Sequence, residues 1–306
     1  MNLQTITHGD WTATVNISRG ANCIRLRHER LGARILREPS YTAGEHPFLF
    51  GMPLLFPVNR ISGGQFDFEG REYRFPVAEP ATGCALHGEV HAIPFEVVAR
   101  GKDRLACACR FDAAHPYGAF PHDFEIGIEY ALDDGGLTQT TEIINHSAQD
   151  MPCLLGFHTT FRAPFIDGGE VRVRAELGEE YERDMSNYLP TGIISAPDAV
   201  TEALAAGTFD PLSAPISRHY RAGGSGRMEI DDPRHGVRVV YENDAKLAFR
   251  LIYNGDASGF ICMEPQNCLV DAPNNVFGRE KSGLDAIAPG ESRVYRSRIG
   301  LEWMKA

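Results

Sequence analysis

Apolar and polar side chains alternate along many short segments of this sequence, and this alternation constrains the fold more than any other feature. Along residues 123–132, acidic side chains fall on one face of an extended chain, and the opposite face carries Phe124, Ile126, Ile128, Tyr130 and Leu132. Similar segments, rich in β-branched and aromatic residues, occur at 11–18, 94–100, 137–145, 170–177, 227–231, 236–242, 247–254, 259–264 and 292–303. A period of two residues is that of a half-buried strand, so the chain is predicted to consist mainly of β-strands.

Turn-forming residues separate these segments. Residues 66–75 predict a hairpin that turns near Glu69–Gly70, and 31 glycines and 19 prolines are spread along the chain. Helix is scarce, and the best candidate is 195–207, with Ser195 as N-cap and Gly207 just beyond its end; the alternative is a turn-rich surface segment. No Gly/Ser linker, low-complexity tract or repeat is present. We therefore expect residues 1–306 to form a single all-β domain, a large antiparallel β-sandwich with few short helices.

The charge of the chain limits the classes of partner that it can bind. It contains 30 basic and 41 acidic residues, a formal net charge of −11, and no run of Lys or Arg. Nucleic acids and anionic membranes are bound by clustered cations, so we expect neither as a partner. No segment approaches the roughly 20 apolar residues that span a bilayer, and the N-terminus lacks the pattern of a signal peptide. Seven cysteines without a CxxC pair indicate reduced, mostly buried thiols in a cytoplasmic protein.

Two loop-like segments carry residues suited to ligand binding. Asn59 and Arg60 follow an apolar run between two prolines and precede turn glycines, and His87 stands beside Gly88 in the segment GCALHGE. Taken singly, an arginine beside turn glycines is compatible with a simple exposed charge. An isolated histidine in a loop is likewise compatible with a structural role.

Two further residues stand where an ionisable group is costly. His158 lies inside the apolar run LLGFHTTFRAPF, and Glu264 stands after an apolar strand segment and directly before Pro265. Burial disfavours both charged forms unless the groups are paired or used. Because proline cannot donate to a ladder, we expect Pro265 to end the strand and place Glu264 at the rim of a sheet, either in a site or pointing to solvent.

The sequence lacks the motifs of several other kinds of active site. The sequence contains no GxxxxGK[ST] or GxGxxG phosphate loop, no GxSxG elbow, and no HxH or HExxH metal spacing. A metal site assembled from the distant residues His87, His158 and Glu264 remains an alternative. We predict that the protein uses no cofactor and no metal.

Taken together and in order, the clusters resemble the aldose 1-epimerase (galactose mutarotase-like) family, in a divergent bacterial-type form. The pieces that carry the resemblance are Phe56-Pro57-Val58-Asn59-Arg60-Ile61, a hairpin from Gly64 to Tyr73, Leu86-His87-Gly88, Gly156-Phe157-His158-Thr159-Thr160-Phe161, and Glu264-Pro265. Each piece is weak alone, but five in the same order over residues 52–265 form a specific pattern. The resemblance implies a large β-sandwich over nearly the whole chain.

The resemblance also implies a site and an activity. Glu264 matches the family's general base, and His158 matches the general acid at the sugar's ring oxygen. His87 and Arg60 match residues that hold the sugar, and Asn59 is a further candidate contact. The implied reaction is the interconversion of the α and β anomers of a hexose or related sugar by acid–base ring opening, without cofactor or metal. We expect a small-molecule sugar as partner and a monomer or homodimer.

The chain departs from the family pattern at two places. Thr159-Thr160 follows His158 where the family usually has Pro-Tyr, and a literal His115-Pro116-Tyr117 occurs in a polar loop instead. The position of the resemblance favours His158 over His115 as the acid. The segment 214–220 lacks the family's sugar-binding aspartate, and Asp210 lies a few residues upstream. The choice of sugar therefore stays open.

Two other functions remain possible at this point. A non-catalytic sugar-binding protein would not need both Glu264 and His158. An epimerase of phosphorylated hexoses would need several cations near the site, for which the candidates are Arg60, Arg162, Arg218 and Arg221. For catalysis we expect an ionised Glu264, helped by Arg60, and a protonated His158, helped by Glu264. The aromatic residues Phe157, Phe161 and Tyr253 are candidates for packing against the sugar.

Overall fold

The computed structural model describes residues 2–42, 44–118 and 120–305, and β-strands dominate it. The strands of the first half are β1 (Leu3–His8), β2 (Trp11–Asn16), β3 (Asn22–His28), β4 (Ala33–Arg34), β5 (Leu54–Leu55), β6 (Arg60–Ser62), β7 (Gln65–Phe68), β8 (Arg71–Arg74), β9 (Cys84–Leu86), β10 (Glu96–Arg100), β11 (Arg104–Phe111), β12 (Phe124–Asp133) and β13 (Gly136–Asn145). Those of the second half are β14 (Met151–Cys153), β15 (Gly156–Phe157), β16 (Thr160–Arg162), β17 (Arg172–Ala175), β18 (Leu177–Arg183), β19 (Pro190–Ser195), β20 (Ser217–Ala222), β21 (Met228–Asp232), β22 (Val237–Asn243), β23 (Phe249–Tyr253), β24 (Phe260–Gln266), β25 (Asp285–Ile287) and β26 (Ser292–Trp303).

Helices are few and short in the described residues. The α-helices are α1 (Ala199–Ala206) and α2 (Gly278–Ser282), and the 3-10 turns are Glu29–Leu31, Val90–Ala92 and Ala272–Asn274. No helix of the described chain has the length and apolar composition needed to cross a bilayer. The predicted all-β class with few short helices is confirmed.

Two large antiparallel sheets form the body of the sandwich. One has the strand order β10-β11-β12-β13-β26-β22-β21-β17, and the other has the order β19-β18-β20-β23-β24-β15-β5 with β16 also paired to β24. The described residues also form a four-stranded sheet, β1 to β4, and three strand pairs. In β12 the five apolar side chains that alternate in the sequence are all buried, as the pattern predicts.

Strand β24 divides its side chains between the core and the opposite face of its sheet. Ile261 and Met263 belong to the main hydrophobic core. Across the sandwich, the ring of Phe161 in β16 lies 5.4 Å from that of Tyr241 in β22. Because side chains alternate along a strand, Glu264 points away from this core, towards the other face of its sheet.

Two local predictions need correction. Ser195 ends β19 and does not cap the helix; the N-cap of α1 is Asp198, whose carboxylate accepts hydrogen bonds from the backbone N–H groups of Val200 and Thr201. A carboxylate bonds two free N–H groups of the first turn and also suits the helix dipole. The predicted end at Gly207 is confirmed, with φ of 74° in the left-handed region. The predicted hairpin is confirmed as β7 and β8, with Glu69 and Gly70 both at positive φ in the turn.

Pro265 does not end its strand. β24 continues to Gln266 and lies inside the sheet, so Glu264 is not at a rim. The backbone donors of Met263 and Asn267 bond the carbonyls of Thr159 and Leu155. The missing donor of Pro265 therefore falls between these two bonds, on the side of the short strands β15 and β16, where the ladder is already interrupted.

Candidate active site

The pairing of β24 with two short strands brings His158 opposite Glu264. Gly156 of β15 pairs with Gln266, and Thr160 of β16 pairs with Cys262. Continued between these two pairs, the same register places His158 opposite Glu264. The imidazole Nε2 of His158 lies 3.2 Å from Oε1 of Glu264, and both side chains are buried.

Gly156 allows this close approach of the segments. A Cβ atom added at Gly156 would lie 2.5 Å from Cγ2 of Val58 and 3.0 Å from Cγ of Gln266. Any larger residue would push the histidine segment away from β24. Close packing against Val58 and Gln266 therefore requires glycine at position 156.

A second strand pair brings Arg60 and His87 to the same place. Arg60 at the start of β6 pairs with Leu86 at the end of β9, so that His87 follows directly. The backbone N–H of Asn59 donates to Nδ1 of His87 at 3.1 Å, and the N–H of His87 donates to the carbonyl of Asn59 at 2.9 Å. Burial lowers the pKa of His87 well below its ordinary value. A neutral ring that accepts at Nδ1 carries its proton on Nε2, so His87 is a hydrogen-bond donor.

These groups line one cavity. Its volume is about 270 Å³, near the small end of ligand sites in proteins. The lining residues are His46, Leu49, Asn59, Arg60, Glu79, Leu86, His87, His158, Arg183, Tyr188, Ser217, Leu251, Tyr253 and Glu264. All five site residues expected from the sequence therefore line a single cavity.

Burial reverses the expected protonation of the central pair. It raises the pKa of Glu264 to about 8, against smaller opposing effects of Arg183 and Arg60. It lowers the pKa of His158 to about 3. The sequence predicts an ionised Glu264 and a protonated His158, whereas the structure favours the two neutral forms, because the charged forms lose hydration inside the protein. Between these pKa values the pair binds one proton.

The carboxyl group of Glu264 has a hydrogen-bond partner for one of its two oxygens. The amide of Gln266 donates to Oε2 at 3.2 Å, and the amide of Asn59 donates in turn to Oε1 of Gln266 at 3.4 Å. Oε1 of Glu264 is buried and has no hydrogen-bond partner among the described residues, although His158 lies close to it. An unsatisfied buried acceptor at a cavity wall is suited to a ligand hydroxyl.

Asn59 is used within the protein. Besides the bond to Gln266, its Oδ1 accepts from the backbone N–H of Arg60 at 3.0 Å. These bonds fix both the loop and the amide that supports Glu264. Contact between Asn59 and a sugar stays a prediction.

Arg60 is fixed by groups that the sequence did not single out. Its guanidinium forms two hydrogen bonds with Glu79, at 2.6 and 2.9 Å, and lies 4.3 Å from the ring centre of Tyr188. Such bidentate and stacked contacts suit the planar guanidinium. Glu79 and Tyr188 lie in segments without a motif, so no sequence pattern predicts them.

Arg183 and Ser217 also line the cavity, and no sequence motif points to them. The guanidinium of Arg183 donates to Oγ of Ser217 at 2.8 Å, and Arg183 is buried. Ser217 belongs to the segment 214–220, where the sequence lacks the family's aspartate, and it lines the cavity in that region. The alternation in β18 could have suggested that Arg183 faces inward, but burial of an arginine is not visible in a sequence.

Other expected residues lie elsewhere. Among the four arginines considered for a phosphate, only Arg60 lines the cavity. Phe157 and Phe161 are buried in the core, whereas Tyr253 lines the cavity. Asp210 forms an ion pair with Arg172 at 3.7 Å, outside the cavity.

One cluster in the site offers metal ligands. Single ligand atoms of His158, Cys262 and Glu264 lie within 4.8 Å of one another. This set replaces the combination of His87, His158 and Glu264 considered from the sequence. Burial raises the pKa of the Cys262 thiol well above its ordinary value, and the thiol contacts the hydroxyl of Thr160 at 3.3 Å. A metal held by all three groups would have to displace that thiol proton.

The fold and the cavity define a large β-sandwich protein with a buried histidine–glutamate pair. The profile of the aldose 1-epimerase family matches residues 2–300, and the chain belongs to this family.

Known relatives are similar over most or part of the chain. The uncharacterized protein YphB of Escherichia coli K12 is 24% identical over 259 residues, covering 82% of this chain and 83% of YphB. The galactose mutarotase of Rattus norvegicus is 29% identical over 157 residues, which are 48% of this chain and 42% of the mutarotase.

Solved structures share the fold. A galactose mutarotase-like protein from Clostridium acetobutylicum has a TM-score of 0.91 at 29% identity, covering 98% of this chain and 95% of that one. Galactose 1-epimerase from Lactobacillus acidophilus has a TM-score of 0.72 at 14% identity, covering 100% and 96%. The second likeness concerns the fold alone.

Proposed function

We propose that this protein is an aldose 1-epimerase that interconverts the α and β anomers of a free sugar, with Glu264 as base and His158 as acid. One observation carries the proposal: Nε2 of His158 and Oε1 of Glu264 lie 3.2 Å apart at the wall of a cavity that Arg60 and His87 also line. The hydroxyl at C1 and the ring oxygen are bonded to the same carbon. Acid and base must therefore act side by side, as these two groups can.

Each step of the reaction is a proton transfer. Glu264 takes the proton of the C1 hydroxyl while His158 protonates the ring oxygen, and the bond from C1 to the ring oxygen breaks. Rotation about the C1–C2 bond of the open aldehyde presents its other face. The reverse transfers then close the ring as the other anomer. Each positioned acid or base contributes about 10²–10⁴-fold.

The electrostatics of the pair favour the middle of this reaction. After ring opening, Glu264 is protonated and His158 is neutral. Burial favours these same forms, because it raises the pKa of Glu264 and lowers that of His158. The charged pair that starts each turnover is therefore the disfavoured form of the site, and proton transfer to and from the sugar returns the pair to its favoured neutral form.

The remaining lining groups suit a neutral polyhydroxy ligand. His87 offers a donor at Nε2, and Arg60 is already neutralised by Glu79 at 2.6 Å. Arg183 is the guanidinium of this cavity that has no ion pair among the described residues, and a phosphate is usually held by several such cations, so the proposal is an enzyme for uncharged sugars. All seven cysteines are free and six are buried, which supports a reducing compartment such as the cytoplasm.

The experiment is a screen of anomerically pure aldoses by NMR exchange spectroscopy and polarimetry. We expect accelerated exchange for at least one neutral aldose, and no acceleration for its 6-phosphate. The Glu264→Gln variant, purified in parallel, controls for mutarotase from the expression host. Binding without accelerated exchange would instead identify a non-catalytic sugar-binding protein.

A further inference from the structure

Next to the candidate active site, two neighbouring strands separate and leave a larger cleft. The pairing of β18 with β20 ends at Glu180 and Tyr220, although both strands continue towards the site. The resulting cleft has a volume of about 710 Å³ and is also lined by α1 and parts of 208–216. Arg183 and Ser217 line both this cleft and the smaller cavity. The two spaces therefore adjoin across the Arg183–Ser217 hydrogen bond.

The wall of the cleft carries two buried polar side chains with few partners in the protein. Arg183 is 7% exposed and forms no ion pair within 4.0 Å in the described part of the chain; its hydrogen bond there goes to Ser217. His219, which also lines the cleft, is 1% exposed, and its Nε2 has no hydrogen-bond partner among the described residues. Buried donors and acceptors without partners are costly, and a ligand that bonds them removes this cost.

The charge of the cleft indicates a neutral ligand. The carboxylates of Glu180, Glu182 and Asp210 line it together with the guanidiniums of Arg183 and Arg218. Arg218 is already paired with Glu180 at 2.7 Å. This balance offers no excess positive charge to an anion.

The shape of the cleft suits a ring with one apolar face. Ala199 and Ala203 of α1, together with Phe209, provide apolar walls opposite the polar groups. A sugar ring combines hydroxyl groups with an apolar C–H face, and therefore matches both kinds of wall.

We propose that the cleft binds a second glycosyl unit, so that the preferred substrate is a reducing oligosaccharide with its reducing end at Glu264 and His158. This inference rests on the proposed function. Contacts with a second ring, remote from the reacting carbon, supply binding energy that orients the first ring for proton transfer.

The kinetic test compares a monosaccharide with its reducing disaccharides linked 1→2, 1→3, 1→4 and 1→6. We expect kcat/KM for at least one disaccharide to exceed that for the monosaccharide by about tenfold. Turnover of the monosaccharide with no preference for any disaccharide would overturn the inference and leave the proposed function intact.

Two variants on one helix localise the effect. Ala199 and Ala205 are both exposed on α1, but only Ala199 lines the cleft. Ala199→Trp should remove the preference for the disaccharide and leave monosaccharide turnover unchanged, whereas Ala205→Trp should change neither. Equal effects of the two substitutions would contradict binding in the cleft.

A binding measurement decides the inference even without turnover. Met185 lines the cleft and is 57% exposed, so its ¹³C-labelled methyl group reports on occupancy. Its signal is assigned with a Met185→Leu variant. Disaccharide should shift this signal and monosaccharide at the same concentration should not. A signal that no disaccharide of the panel shifts would overturn the inference, whereas absent turnover of every sugar would refute the proposed function alone.

Discussion

Nε2 of His158 lies 3.2 Å from Oε1 of Glu264, and both side chains are buried at the wall of the cavity. The two residues are more than one hundred positions apart, and the register of β24 with β15 and β16 brings them together. Because both side chains are buried, each affects the protonation and the stability of the site. Five predictions follow from this relationship and its surroundings, beginning with the base.

Replacing Glu264 by Gln should abolish anomer exchange and preserve the fold. Glutamine has nearly the same shape but cannot accept the C1 hydroxyl proton, so we expect a loss of about 10²–10⁴-fold. Exchange rate and sugar binding are measured on the same NMR sample, and circular dichroism checks the fold. A variant with the exchange rate of the wild type would remove Glu264 as the base.

His158→Asn should be far more damaging than His115→Asn. His158 is buried beside Glu264, whereas the side chain of His115 is 81% exposed in a loop. Loss of a general acid should lower the exchange rate about 10²–10⁴-fold, and loss of a solvated histidine should leave it unchanged. Both variants are measured on the sugar that the wild type turns over. Equal rates would mean that the acid lies on another segment.

The pH dependence of kcat/KM should show an alkaline limb near pH 8. The reaction needs one proton on the pair, and the pair keeps its last proton up to the pKa of Glu264, about 8. Residues with ordinary pKa values would lose that proton near 6.5. The profile is measured between pH 5 and 10 and corrected for uncatalysed exchange. An activity that declines already at pH 6.5 would show that burial does not shift the pKa values of the pair.

The same pair should make folding stability depend on pH. The folded pair binds one proton between about pH 3 and 8. In the unfolded chain, with pKa values of 4.5 and 6.5, it binds two protons below pH 4.5, one up to 6.5 and none above. Its contribution to the free energy of unfolding therefore rises up to pH 4.5, stays constant to 6.5 and falls towards 8, by at most about 1.4 kcal/mol per pH unit.

Denaturant unfolding of the wild type and of a Glu264→Gln, His158→Gln double variant measures this contribution. The quantity compared is the free energy of unfolding of the wild type minus that of the double variant. This difference should be constant from pH 4.5 to 6.5 and should fall above pH 6.5. A difference that grows from pH 6.5 to 8 would have the wrong sign.

Chelators should leave the activity unchanged. The proposed steps are proton transfers on a neutral sugar, and Glu264 and His158 supply both groups. The enzyme is dialysed against EDTA, assayed, and analysed for metal content. Loss of activity that one divalent ion restores would assign a metal to His158, Cys262 and Glu264.

Much of the fold can be predicted from the sequence because strand periodicity is a local property. Alternation along 123–132 predicts β12 and its buried face, and Glu69–Gly70 predicts the turn between β7 and β8. Local signals fail where two residues compete for one role. Ser195 and Asp198 are both good N-caps, and only the path of β19 decides that Asp198 caps α1.

For the candidate site, the sequence by itself determined which residue types are available and their order along the chain: Arg60, His87, His158 and Glu264 in family-like motifs. Only the tertiary structure decided that they line one cavity, because strand register joins segments far apart in sequence. The tertiary structure likewise decided that Arg183 lines an adjoining cleft, because this cleft forms where β18 and β20 stop pairing. The tertiary structure also decided the protonation of the pair, since a pKa depends on burial and on neighbours in space, neither of which a linear order of residues contains.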